Sequence, residues 1–450
     1  SGSMPYAQWH YPFADQERFA SRFPADFIAE GLDQTRGWFY TLLVLSTALF
    51  GKSAYRNVVV NGLVLAEDGR KMSKRLKNYP DPALILNTYG ADALRLYMIY
   101  SPVVRAEDLC FSEPGVLQSL RHLLLPWWNA YAFFVTYARI DGWEPGPETI
   151  PDDRRSILDQ WILSSMERLS SDVVEALDRY DLQASVRPFV QFLDDLTNWY
   201  IRRSRRRFWK SSNDGDKLAA YETLYEVLVR LCRIAAPFVP FISEAIYRNL
   251  RRDDMPESVH LCDFPEGNPA RRKSELEAQM QDVLDVVGLG RQLRTEYNLK
   301  VRQPLRTIHI VSHDPERLAR VKVLRDLVLD ELNVKDAVFS GAESQLATLS
   351  AKANFKALGP RYGKKVQLIH QAVTAMGSDE IEAFMQSRPM TLTCGGESFV
   401  LEPDDIVLER QPRPGLAVAG TGKFVIALDE TLDEALIREG LAREFVNKVQ

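Results

Sequence analysis

The apolar positions change their spacing twice along the chain. In residues 1 to about 112, short apolar runs alternate with helix-length ones. ADFIA within PADFIAEGLDQ predicts a short strand that ends in polar residues. TRGWFYTLLVLSTALFG predicts a buried helix closed by Gly51. NVVVNGLVLA is β-branched and apolar, which predicts a buried strand or a hairpin. Asp81-Pro82 then starts a helix over DPALILNTYGADALRLYMIY, with Asp as N-cap and Pro in the first turn. Alternation of this kind is the pattern of an α/β domain, whose ligands sit at the carboxyl ends of its strands.

From about 113 to 268 the period becomes helical. SILDQWILSSMERLSSDVVEALDRY reads as one long amphipathic helix, and PFVQFLDDLTNWYIRRSRRRFWK as another. YETLYEVLVRLCRIAAPFVPFISEAIYRNLRR reads as a helix broken at Pro237 and Pro240 and then resumed. WEPGPETIPDD and CDFPEGNPARRK read as connections, so an antiparallel helical bundle is expected. From 269 to 450 the pattern is mixed. ELEAQMQDVLDVVGLGRQLRTEYNL is helical, whereas RTIHIVS, PMTLTC and KFVIALD are strand-like, giving an α+β region.

Composition narrows the picture without naming a function. A chain of 450 residues with 46% apolar and 26% charged residues has ample core for several domains. The net charge of −5 excludes a protein that is basic overall, but not local basic patches. Cys110, Cys232, Cys262 and Cys394 are widely spaced, which fits reduced thiols in a cytoplasmic setting and predicts no zinc site. LLVLSTALF is too short to span a bilayer, so no membrane association is expected. The chain opens at Ser1, before Met4, and closes inside a helical pattern, so a window from a longer protein is expected.

A dense run of charge lies in GRKMSKRLKN, residues 69–78. Arg70, Lys71, Lys74, Arg75 and Lys77 are uninterrupted by an acid, with Gly69 upstream. Two ammonium groups three residues apart on a mobile loop can bracket a triphosphate and neutralise charge on a leaving pyrophosphate. By charge alone, a solvated basic loop is the stronger reading. A second candidate group is Glu30, Gly31, Asp33 and Gln34 at a strand end, where the polar side chains could bind a ribose hydroxyl or an ammonium. Trp38 could wall an apolar pocket or lie in the core of its helix. The third is TNWYIRRSRRRFWK. Phe189, Leu193, Leu196 and Tyr200 form an apolar stripe that Arg203 and Arg207 prolong, so those two arginines pair with acids at a domain junction. Arg202, Arg205 and Arg206 splay to the flanks and could meet nucleic-acid phosphates. FGKSAY is no P-loop, because Ser46 stands where the first glycine is required. The six histidines, His10, His122, His260, His309, His313 and His370, are scattered without metal-ligand spacing.

The letters KMSKR, with NGLVLAEDGRKMSKRLKNYPDP and YGADALRLY around them, resemble the KMSKS signature of class I aminoacyl-tRNA synthetases. Arg75 stands where Ser is commonest. AEGLDQTRGWFYTLL is similar to the isoleucyl-tRNA synthetase form of its segment, and SGSMPYAQWHYPF also resembles that family. TNWYIRRSRRRFWK resembles the start of its anticodon-binding bundle. The resemblance implies the second half of a Rossmann-type α/β catalytic domain over 1–112, an all-α anticodon-binding bundle over 113–268 and an α+β extension over 269–450. That extension is similar to the eukaryotic-like form rather than to the zinc-bearing tail of the other bacterial form. The resemblance also implies ATP with Mg2+, isoleucine and isoleucine tRNA as partners. Lys71 and Lys74 then act on the ATP phosphates, and Met72 and Ser73 lie against adenosine. Glu30, Gly31, Asp33, Gln34 and Trp38 hold the aminoacyl-adenylate, and Trp199, Arg202, Arg205 and Arg206 meet tRNA. The family's HIGH signature and editing insertion are not in the sequence. The chain is therefore expected to be a back half that needs its front half and is inactive alone. The alternatives are the valyl enzyme, against which Asp33, Gln34 and Trp38 argue, and a tRNA-binding module without catalysis, against which the intact lysines argue.

Overall fold

The computed structural model describes residues 1–449 except Lys74, 147–149, Asn213 and 387–389. The chain divides into two compact units, Ser1–Lys273 and Ser274–Gln450. Among the described residues no helix is long and apolar enough to cross a membrane.

After two short helices, Met4–Ala7 and Gln16–Arg22, the first unit forms β1, Ala25–Gly31, and β2, Tyr55–Asn61, joined by α1, Trp38–Phe50. The strands are parallel, with Ile28 opposite Val58 and Gly31 opposite Asn61. Phe19, Phe23, Ile28, Phe39, Leu42 and Ala54 form the core beneath them. Helix α1 ends at Gly51, whose N–H caps Thr47. The expectation of a buried helix is corrected in part. Phe39, Leu42 and Ser46 are buried, but Tyr40, Leu43, Val44, Leu45 and Leu49 are exposed. A two-stranded sheet covers one stripe of an all-round apolar helix and leaves the rest uncovered. The sheet itself exposes Phe27 and Val58, although parallel strands are ordinarily covered on both faces.

The possible hairpin in NVVVNGLVLA is also corrected. Strand β3, Val64–Leu65, leaves β2 and pairs in parallel with β4, Leu109–Cys110, in a separate sheet. Gly62 explains the departure. Its N–H donates to the Val103 carbonyl at 2.8 Å, and a Cβ there would lie 1.9 Å from the Glu107 carbonyl oxygen. Backbone approach that close requires glycine. Between β3 and β4 run α2, Pro82–Tyr89, and α3, Ala91–Tyr100. Asp81 caps α2 as expected, accepting the Ala83 N–H at 2.9 Å. The single helix expected over this stretch breaks at Gly90, which has φ +82°.

The bundle comprises α4, Leu125–Asp141; α5, Ile157–Asp178; α6, Leu182–Asp194; α7, Arg202–Trp209; α8, Gly215–Ala235; and α9, Pro240–Leu250. Ser156 and Asp159 form a reciprocal capping box at the start of α5. Helices α6, which contains Pro188, and α7 are continuous through a π-helical stretch, Asp195–Ile201. The stripe Phe189, Leu193, Leu196 and Tyr200 is buried. Helices α8 and α9 are separated at Pro237 and Pro240, as the sequence predicts. Residues 262–273 return across the bundle, held where Glu167 accepts the Asn268 N–H at 2.7 Å and Arg271 meets Asp152 at 2.8 Å.

The second unit begins with α10, Ser274–Glu296. Strand β5, Leu305–Val311, is followed by α11, Pro315–Val323, and α12, Arg325–Leu332, and then by β6, Val334–Ser340, parallel to it. Strands β7, Ala347–Ala353, β8, Met390–Cys394, β9, Glu397–Leu401, and β10, Ile406–Pro412, form antiparallel pairs β7–β10 and β8–β9. Leu358, Ile369, Val373, Ile381, Phe399 and Leu401 pack there. Strands β11, Leu416–Gly420, and β12, Val425–Asp429, complete a sheet of order β11–β12–β5–β6, and the last helix is Glu434–Val449. The α/β piece, the helical bundle and the α+β region all match the fold class read from the sequence.

Candidate functional site

The cationic loop is anchored on both sides. Upstream, Leu65 forms a bridge with Lys71, and the Ala66 N–H donates to the Arg70 carbonyl at 2.8 Å. Gly69 closes this turn with φ +77°, and its N–H donates to the Ala66 carbonyl at 2.9 Å. Asp68 accepts from the Arg70 backbone at 3.0 Å and from its Nε at 2.6 Å. That hydrogen bond holds the Asp68 carboxyl below its ordinary range. Arg70 is therefore neutralised locally and does not add to the charge of the loop. Downstream, the Ser73 N–H donates to Asn78 Oδ1 at 2.9 Å, and Asn78 Nδ2 donates to the Lys71 carbonyl at 3.2 Å. The Ser73 carbonyl accepts the N–H groups of Leu76 and Lys77 at 3.1 and 3.0 Å.

Lys71 is exposed, while Met72 and Ser73 are half-buried. Lys74 lies outside the described residues. Met72, Lys77 and Asn78 line a cleft of about 300 Å³ with Glu67, Tyr79 and Phe111. The upstream glycine is the closing residue of a formed turn.

The strand-end group occupies the carboxyl end of β1. Glu30 is exposed and its Oε1 accepts the Gly31 N–H at 3.1 Å. Asp33 is exposed, and a Cβ on Gly31 would lie 2.7 Å from its Oδ1. Gln34 is engaged locally: its Oε1 accepts the Trp38 N–H at 2.9 Å, and its Nε2 donates to Asp33 Oδ2 at 3.3 Å. It thus caps α1, a role its position before the helix could have signalled. Trp38 is half-buried against the aromatic core, with its ring centroid 6.1 Å from that of Phe39. The pairing of Gly31 with Asn61 sets this end beside the segment leading to the cationic loop.

On the bundle, the flank residues Arg205 and Arg206 are exposed, and Arg202 is half-buried with its Nε donating to the Asn198 carbonyl at 2.8 Å. Trp199 is corrected as a surface contact. It is only 2% exposed, and the guanidinium groups of Arg202 and Arg203 lie 5.7 and 5.4 Å from its ring centroid. It supports these arginines from beneath. Arg207 pairs with acids as expected, but inside the bundle: its two terminal nitrogens donate to Asp159 at 2.8 and 2.7 Å. Tyr200 donates to the same carboxylate at 2.7 Å, and burial raises its hydroxyl well above the ordinary value.

The sequence reading missed Asn78 and the α3 contacts to the α8–α9 elbow. Asn78 had one signal: a side chain carrying both donor and acceptor directly behind a cationic turn. The elbow contacts join residues about 150 positions apart and have no local signature.

Residues 1–110 match the family model for class I tRNA synthetases (I, L, M and V), and residues 159–309 match that for the anticodon-binding domain of tRNA ligases. These matches and the fold give a fragment of a class I synthetase catalytic domain, a helical anticodon-binding domain and a further α+β region. The isoleucine–tRNA ligase of Protochlamydia amoebophila is 54% identical over all of this chain, and that of Treponema denticola is 49% identical over 91% of it. The chain corresponds to the C-terminal-half region of class I isoleucyl-tRNA synthetases. It spans 43% and 38% of the length of those two relatives. A ternary complex of the Agrobacterium radiobacter K84 LeuRS with tRNA and LeuAMS is similar at TM-score 0.48 and 19% identity, over 60% of this chain and 33% of that one.

Proposed function

We propose that the chain is the signature-loop and tRNA-binding part of an isoleucine–tRNA ligase, in three parts, 1–112, 113–268 and 269–450. The observation that carries the reading is the loop at 71–78, which presents Lys71 from a turn anchored on both sides. The substrates are isoleucine, ATP as its Mg2+ complex, and isoleucine tRNA. The isoleucine carboxylate attacks the α-phosphorus of ATP, the bond to the β,γ-diphosphate breaks, and pyrophosphate leaves. The acyl group then passes from the adenylate to a ribose hydroxyl at the tRNA end, releasing AMP. Catalysis is positioning and charge stabilisation, with no protein nucleophile.

Lys71 and Lys74 neutralise the phosphates, and Met72 and Ser73 face the adenosine side. Glu30, Gly31, Asp33, Gln34 and Trp38 border the aminoacyl-adenylate, with Gln34 acting through its cap on α1. Arg202, Arg205 and Arg206 meet tRNA phosphates. The front half of the catalytic domain is the partner that covers the exposed apolar faces of α1 and of the β1–β2 sheet. The setting is the cytoplasm. The eukaryotic-like form rests on the sequence resemblance of residues 269–450, and the relatives named above are bacterial. The test is isoleucine-dependent ATP–pyrophosphate exchange by the full-length protein. Exchange with isoleucine that Lys71→Ala reduces at least about 100-fold supports the reading; exchange driven by valine in preference overturns it.

A further inference from the structure

We propose that Asn78 is the positioning residue of the cationic loop, fixing the backbone from Lys71 to Ser73 so that the Lys71 ammonium meets the triphosphate from one direction. The inference rests on the ATP reading of the loop. Asn78 Oδ1 accepts the Ser73 N–H at 2.9 Å, and its Nδ2 donates to the Lys71 carbonyl at 3.2 Å. A backbone N–H only donates and a carbonyl only accepts, so these two partners leave one orientation of the side-chain amide. The amide acts as a short strand partner across Lys71, Met72 and Ser73.

On the other side, Lys71 is bridged to Leu65. The peptide is thus held from both flanks, while the Lys71 side chain stays exposed. A flexible lysine has high rotamer entropy, so fixing its backbone is the available means of directing its charge. Asn78 also lines the cleft beside Met72. No other residue type of this size offers both a donor and an acceptor in one plane. Aspartate keeps the acceptor for Ser73 and loses the donor for Lys71; alanine loses both.

The test compares the wild-type full-length protein with its Asn78→Ala, Asn78→Asp and Lys71→Ala variants. Amide hydrogen exchange at Ser73 and the affinity for Mg·ATP are read on each. We expect Asn78→Ala to speed Ser73 exchange about tenfold and to weaken Mg·ATP about tenfold. Asn78→Asp retains protection at Ser73. Lys71→Ala weakens Mg·ATP and leaves Ser73 exchange unchanged. Unchanged exchange in Asn78→Ala overturns the proposal, and so does faster exchange with unchanged ATP affinity, since Asn78 would then be structural only. Equal Mg·ATP affinity in wild type and Lys71→Ala instead refutes the ATP reading of the loop, and with it the positioning role that rests on it.

Discussion

Asp92 on α3 accepts the backbone N–H of Ile242 at 2.7 Å, at the start of α9, and that of Phe241 at 3.3 Å. One turn along α3, Arg95 donates to the carbonyls of Pro237 and Phe238 at 3.0 and 3.1 Å. The second helix after the cationic loop, α3, thus grips the elbow between α8 and α9. Burial pushes the Asp92 carboxyl up, and the two N–H bonds counter that desolvation only in part. Asp92→Ala leaves the start of α9 without its acceptor and should cost about 1–2 kcal/mol in urea unfolding. Asp92→Asn retains an acceptor and should cost less.

Arg207 and its neighbours separate structural from nucleic-acid roles. Arg207→Ala strands a carboxylate at Asp159 that is fully buried, and should cost about 3–5 kcal/mol. Arg205→Ala and Arg206→Ala should change stability by less than about 0.5 kcal/mol. Each should instead lower the salt dependence of tRNA binding by about one unit of slope in a log–log plot. A stability loss at Arg205 or Arg206 as large as that at Arg207 would contradict this division.

Asp195 supplies the pH dependence of the bundle. It is 5% exposed, and burial raises its carboxyl from the ordinary 3.8 to about 6, although Gln191 donates to it at 2.8 Å. The folded state therefore holds a proton that the unfolded state releases. The stability from this group is complete below the ordinary value and is lost as pH rises through about 6. Asp195→Asn should flatten the fall in stability between about pH 4 and 7, which is at most about 3 kcal/mol for this group. Unfolding curves at several pH values measure it; parallel pH profiles for the two proteins would contradict it.

Lys77 adopts φ +47°, a left-handed conformation without a glycine. Lys77→Gly should relieve about 1 kcal/mol of local strain and slow amide exchange at Leu76. Its side chain lines the cleft, so a change in Mg·ATP affinity would report the lost charge separately.

The sequence made the helical parts most legible. Asp81-Pro82 and the prolines at 237 and 240 are local signals, and each marks a boundary the structure retains. The stripe from Phe189 to Tyr200 was readable because it repeats. Local patterns do not carry close approach or cover. Gly62 meets Glu107 through the fold, which turns an apparent hairpin into two parallel pairings. Helix α1 has an all-round apolar sequence, but two strands cover only part of it. Trp199 sits among arginines in sequence and beneath them in space, because a helix carries adjacent residues on different faces. Of the candidate site, the cations were legible, while Asn78 showed only its type and its place behind the cationic turn, because it acts through the backbone groups of Lys71 and Ser73.

The most direct measurement is fluorescence anisotropy of this chain with isoleucine tRNA and with valine tRNA across a salt series. The account predicts tighter binding of isoleucine tRNA, with a preference that persists as salt is raised. Equal and steeply salt-dependent binding of both would mean that only basic phosphate contacts are present, and would contradict the assignment of this chain to recognition of isoleucine tRNA.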